Sequence, residues 1–221
     1  MLSFQSPRER GRDATWFVRV TAPGGEAYQV EGVRGSPVWS RDAAWIAYTW
    51  APSPDPDAKG AKAREGWIAP DALSRTLSAE RMDGRVITAM HYKSDGTLDL
   101  LPHASAVPQR QLYVVPAAGG APRQLTNLSF AVSQPVWSAD GRTIFFSGDS
   151  LWDIPAVQQT QDIYSAAREG GAPRRLTRNP GSEYAPAVSP DGRWLAFLRR
   201  PQTGGDLDVM VVALSHDGAF Q

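Results

Sequence analysis

Cysteine is absent from the 221 residues. That excludes disulfides, cysteine-ligated zinc and thiol catalysis together, and leaves the redox compartment open. Lysine is scarce: Lys59, Lys62 and Lys93 are the three, so the basic side chains are almost all arginine. Neither sign of charge prevails. The 23 basic and 23 acidic residues give a net charge of zero, so no global field draws the chain to nucleic acid or an anionic membrane. Long apolar runs are missing too. None nears the ~18 residues of a membrane span, and Met1 to Arg12 lacks the apolar stretch of a signal peptide. The expectation is a soluble, cytoplasmic protein. Hydrophobic residues make up 42% of the chain and aromatics 10%, enough for the core of one sizeable domain.

Glycine (20) and proline (18) punctuate short β-rich runs throughout, a pattern that points to repeats. Gln111 to Phe146 aligns without a gap on Asp162 to Phe197, an offset of 51 residues. Gly119-Gly120-Ala121-Pro122-Arg123 matches Gly170-Gly171-Ala172-Pro173-Arg174, and Leu125-Thr126 matches Leu176-Thr177. Tyr113, Pro135, Ser138, Asp140-Gly141-Arg142 and Phe146 recur as Tyr164, Pro186, Ser189, Asp191-Gly192-Arg193 and Phe197. A looser copy lies upstream in Pro37-Val38-Trp39-Ser40-Arg41-Asp42 and Ile46-Ala47-Tyr48, with Ala43 in place of the turn glycine. That replacement predicts a different turn there.

Each unit reads as four short strands. An Asp-Gly pair suits the first turn because Gly takes φ > 0 without a Cβ clash. Four strands in roughly 40–50 residues is the pattern of a β-propeller blade, and no stretch sustains an amphipathic helical period. The expected fold is all-β: a single partial propeller over 1–221 with about four blades. Repeats fall near 36–84 (degenerate), 85–126, 133–177 and 184–214. Pro37 and Pro135 stand 98 residues apart, close to two units, which places a degenerate copy between them with Val86 to Tyr92 and Thr97 to Leu101 as its first hairpin. Trp16 to Val20, followed by Gly24-Gly25 and Tyr28 to Val30, repeat the first half of the Gln111 to Phe146 segment. Thr15 to Val30 could therefore complete the blade begun by Pro186 to Leu214 and close a small ring. Ala51 to Gly60, rich in proline and small residues, reads as an exposed loop.

Trp137-Ser138-Ala139-Asp140-Gly141-Arg142-Thr143-Ile144-Phe145-Phe146 and Val188 to Phe197 resemble the WSPDG-type repeat. It occurs in the periplasmic Tol-system propeller and in the propeller domain of the prolyl oligopeptidase family. The Gly-Gly-Ala-Pro-Arg-x-Leu-Thr run is similar in both. Val86 to Tyr92 leading into Leu112 to Val115, together with the long loop Ser147 to Gln161, resembles the acylaminoacyl-peptidase-like branch. In that branch a propeller of seven or eight blades caps an α/β-hydrolase domain whose serine sits in a Gly-x-Ser-x-Gly elbow. This sequence has no such elbow, so the resemblance carries no catalytic residue onto it. It implies the non-catalytic propeller part of a serine peptidase, restricting entry to short peptides. The partners implied are the hydrolase domain, the remaining blades and short peptides. The alternative is a stand-alone protein-binding scaffold of the Tol type.

Other constellations favour their plain readings. Gly148-Asp149-Ser150-Leu151 spells the nucleophile block of GDSL hydrolases, but none of His91, His103 and His216 has Asp three residues upstream to supply a base. Asp55-x-Asp57-x-x-Gly60 imitates an EF-hand opening, yet Gly66 stands where the bidentate Glu belongs. Scattered histidines and no cysteine predict no metal site and no cofactor. Asp140 and Asp191 read as turn residues bonding nearby backbone N–H groups. Trp39, Tyr48, Trp137, Phe146 and Phe197 read as packing between blades rather than a stacking platform. Arg174-Arg175 and Arg199-Arg200 lie among acids and read as solvated pairs, with no nucleic-acid or membrane partner.

Overall fold

The computed structural model describes residues 2–9, 12–18, 20, 25–51, 109–149, 160–201, 205–215 and 220. Among them there are thirteen strands and no helix. No helix among the described residues is long and apolar enough to cross a membrane. By compactness the chain divides into 1–51 with 109–221, and 52–108. The described residues all belong to the first of these.

Strands β1 (Leu2–Glu9) and β2 (Arg12–Val18) form an antiparallel pair. Blade 1 is β3 (Val38–Trp39), β4 (Trp45–Trp50), β5 (Gln111–Pro116) and β6 (Arg123–Gln124), in that spatial order. Blade 2 is β7 (Val132–Trp137), β8 (Thr143–Asp149), β9 (Gln161–Ala167) and β10 (Arg174–Arg175). Blade 3 is β11 (Gly181–Val188), β12 (Trp194–Pro201) and β13 (Asp208–Ala213). Each blade is an antiparallel meander, the propeller unit read from the repeat.

One assignment changes. β4 pairs directly with β5 in the register Trp50↔Gln111 to Trp45↔Pro116. Residues 38–50 and 111–124 therefore make a single blade, not parts of two repeats at 36–84 and 85–126. Residues 52–108 fall between its second and third strands. The expected hairpin at Val86 to Leu101 lies outside the described residues. Thr15 to Val30 also differ from expectation. Phe17, Val30 and Val33 pack on Ile46, Tyr48 and Val115 of blade 1, and β1–β2 form their own sheet rather than completing blade 3.

Strand alternation explains the layering, because successive side chains face opposite sides of a blade. Ala47, Leu112 and Val114 face blade 2 and meet Ile144, Phe146 and Tyr164. Phe145 and Ile163, on the other side of blade 2, meet Leu195 and Phe197 of blade 3. Tyr48, Phe146 and Phe197 thus serve one repeated purpose, closing each blade on its predecessor. Phe146 stacks on Tyr164 with ring centroids 5.6 Å apart, and Tyr48 on Tyr113 at the same spacing. Burial pushes the Tyr48 hydroxyl up to about 12.

The Leu-Thr repeat has an equally local cause. The Thr126 hydroxyl accepts from the Leu112 N–H at 2.9 Å and donates to Gln111 Oε1 at 2.8 Å. Thr177 accepts from the Ile163 N–H at 2.9 Å, with Asp162 Oδ1 at 3.4 Å in the place of the Gln111 amide. The threonine extends the third strand's bonding where the two-residue fourth strand stops. Its leucine neighbour faces the core, Leu125 beside blade 2 and Leu176 beside blade 3.

Candidate functional site

The three inner strands end in one repeated turn. Ser138 N–H donates to Thr143 O at 2.8 Å, and Gly141 N–H donates to Ser138 O at 3.0 Å. The Ser138 hydroxyl donates to Asp140 Oδ1 at 2.6 Å, which also accepts from Arg142 N–H at 3.0 Å. Thr143 N–H donates to Ser138 Oγ at 2.9 Å. Ser189 to Trp194 repeats every one of these bonds. So does Ser40 to Trp45, although Ala43 holds the glycine position. Ala43 sits at φ +55°, close to +67° at Gly141 and +74° at Gly192. The different turn expected from Ala43 is absent: serine and aspartate wiring imposes the left-handed conformation on alanine.

Asp140 and Asp191 are therefore turn ligands and not a catalytic pair. The Ser189 hydroxyl, then the Arg193 N–H, hold Asp191 below the usual carboxylate range. The Ser40 hydroxyl and the Ala44 N–H do the same for Asp42. Burial alone would raise Asp140, but the Ser138 hydroxyl and Arg142 outweigh it and its carboxyl also lies low. Carboxyls held ionised in this way are poor proton donors at neutral pH.

These turns and strand ends enclose a groove of about 290 Å³. Val38, Trp39 and Arg41 come from blade 1, Val136 to Ala139 from blade 2, and Val188 to Pro190 from blade 3. The Arg41 guanidinium donates to the Pro190 carbonyl, spanning from blade 1 to blade 3. Trp137 Nε1 donates to Val38 O at 3.1 Å and ties blade 2 to blade 1. The lining offers an apolar floor, indole edges and one cation. It contains no histidine or glutamate, and both its serines are engaged in their turns. Among the described residues no group of His, Cys, Asp and Glu could hold a metal ion.

The remaining sequence candidates resolve into packing or fall outside the described residues. Gly148 lies in β8, where a Cβ would come within 2.7 Å of the Phe130 ring and 3.1 Å of Tyr164. Aromatic packing, not a nucleophile turn, requires that glycine. Asp149 accepts from Gln161 Nε2 at 2.8 Å. Ser150, Asp55 to Gly60, His91, His103 and His216 lie outside the described residues. Arg175 pairs with buried Asp162 at 2.6 Å, so this half of the Arg174-Arg175 pair is structural. Sequence reasoning missed the Arg41–Pro190 tie and buried Glu183, which accepts from Asn179 at 2.7 Å. The first is a contact between blades that the repeat does not spell out, and Glu183 stands where the preceding repeat has Val132.

No family model matches the sequence. The chain is 28% identical to the uncharacterized protein Atu1656 of Agrobacterium fabrum, over 84% of this chain and 64% of that protein. It is 29% identical to the uncharacterized peptidase YuxL of Bacillus subtilis, over 39% of this chain and 18% of that one. A TolB-type structure from Agrobacterium tumefaciens superposes with a TM-score of 0.56 at 17% identity, covering 98% of this chain and 58% of that chain. TolB from Acinetobacter baumannii superposes with a TM-score of 0.52 at 15% identity, covering 96% and 37%. The chain thus spans less than two thirds of the length of these relatives. Its blades, turns and interblade aromatics have the fold of TolB-type β-propellers.

Proposed function

We propose that this chain works by binding, as a propeller segment that contributes no catalytic group. The observation that carries this is the groove at the inner-strand ends: an apolar floor, two indoles and no nucleophile–base pair in its lining. A protein-binding scaffold of the Tol type has the broader support, because the superpositions on the two TolB structures run over most of the chain. A second reading rests on YuxL. There the chain is the non-catalytic propeller of an acylaminoacyl-peptidase-like serine peptidase, gating short peptides toward an α/β-hydrolase domain and working in the cytoplasm. The Tol reading goes with a periplasmic location.

Hydrolysis assays test what the two readings share. Incubated with acyl-aminoacyl chromogenic substrates and p-nitrophenyl esters, the chain is expected to give no turnover above buffer. Turnover abolished by Ser150→Ala would overturn the proposal and establish a GDSL-type site. A pull-down with folded periplasmic proteins, set against titration with short N-acylated peptides, separates the two readings.

A further inference from the structure

The three blades bring equivalent repeat positions to the groove, and two of its residues break the repeat. Blades 1 and 2 place Trp39 and Trp137 there, and blade 3 has Val188 in the same position. The groove is therefore bounded on one side by a side chain much smaller than an indole. The residue after the turn serine is Ala139 in blade 2 and Pro190 in blade 3, both apolar. In blade 1 it is Arg41.

Arg41 also differs from the arginines around it. Arg123, Arg168, Arg175, Arg193 and Arg199 each have a carboxylate oxygen within 4.0 Å. Among the described residues Arg41 has no such partner, and its guanidinium donates to the Pro190 carbonyl. Neighbouring Asp42 faces its own turn, where Oδ1 accepts from the Ser40 hydroxyl at 2.5 Å and the Ala44 N–H at 3.0 Å. A neutral carbonyl is a weaker acceptor for a guanidinium than a carboxylate, which takes two parallel N–H bonds.

Volume sets the size of the occupant. The groove's 290 Å³ lies at the bottom of the range for ligand pockets, roughly 300–1,000 Å³, so it suits one residue and not a folded element. Apolar walls and a guanidinium together call for an apolar side chain and a carboxylate on that one residue. In a polypeptide the C-terminal residue offers both, whereas an internal Asp or Glu uses its side chain for the charge.

We propose that the groove binds the C-terminal residue of a peptide, with its apolar side chain against Val188 and Trp137 and its α-carboxylate on Arg41 in place of the Pro190 carbonyl. This deepens the binding reading of the groove and rests on it.

The test uses the full chain and fluorescein-labelled Gly-Ser-Gly-Ser-Leu with a free C-terminus. The same peptide as its C-terminal amide, and one ending in Gly, are the controls. Fluorescence anisotropy should saturate for the free acid and be weaker by about 10-fold for the amide. The Gly peptide should also bind more weakly. Arg41→Met keeps the length of the stem and loses the charge, and should lower the acid to the affinity of the amide. Val188→Trp restores the indole of the other blades and should abolish binding of both. Should that variant not fold, the amide control and Arg41→Met decide. The proposal is overturned if the folded parent shows no saturable binding of the acid, or if folded Val188→Trp binds it unchanged. An acid preference that survives in folded Arg41→Met also overturns it. So does equal binding of acid and amide, which would leave the groove a binding site without carboxylate recognition. Turnover in the hydrolysis assays, by contrast, overturns the non-catalytic reading and leaves the ratio of acid to amide unaffected.

Discussion

In light scattering, the purified chain is expected to run at no less than twice the monomer mass, and the double variant Val209→Glu/Val211→Lys at the monomer mass. The cause lies in one repeated face. Leu112 and Ile163, each on a third strand facing the following blade, are 0% exposed. Val209 of β13 takes the same position in blade 3 and is 68% exposed, with Val211 at 57% and Trp194 of the neighbouring strand also exposed. Nothing among the described residues covers the face that blades 1 and 2 bury. Each valine would contribute about 1.5–3 kcal/mol on burial, so the face drives association. The charged pair removes that gain at small cost to the fold, because surface substitutions are usually mild. A monodisperse parent monomer across concentrations would show instead that the face is covered, as in a closed small ring.

Gly192→Val is expected to lower stability by about 3–4 kcal/mol, and Gly141→Val by about 1–3 kcal/mol. Both place a β-branched residue at positive φ. Gly192 adds a collision, since its Cβ would lie 2.7 Å from Ala139 Cβ in the turn of blade 2. At Gly141 the nearest atom, Ser40 Cβ, is 3.7 Å away, an ordinary contact. Ala43→Gly goes the other way, gaining about 0.5–1 kcal/mol by relieving a left-handed alanine. Chemical denaturation of the three variants checks the order. Equal midpoints for Gly141→Val and Gly192→Val would remove the stacked-turn contact from the picture.

The repeat was legible where a residue's reason is local. Ser138, Asp140 and Gly141 wire one turn, and Leu125-Thr126 closes one strand edge, so strands, turns and blade type follow from their recurrence at an offset of 51. Pairing between distant residues was not legible. The 98-residue gap from Pro37 to Pro135 resembles two units, yet Trp50 pairs with Gln111 across it. Loop closure costs only about 0.6 kcal/mol per doubling of length, so a long hairpin connection leaves no periodic trace. Ala43 misled for a related reason. Residue preference disfavours the turn there, while the Ser40 and Asp42 bonds override it. The groove needed three blades in register, and Arg41 reaching Pro190 had no counterpart in the repeat to announce it.

The blade assignment is tested most directly by excising residues 52–108 and joining Ala51 to Gln109 through Asn-Gly. Trp50 and Gln111 are already partners, so a five-residue hairpin loop can close β4 on β5. Loop-closure entropy alone favours the shortened chain by about 2 kcal/mol. A thermal melt followed by tryptophan fluorescence should stay cooperative, with a midpoint at or above that of the parent. Loss of the cooperative transition would contradict the single-blade assignment and restore 85–126 as a separate repeat.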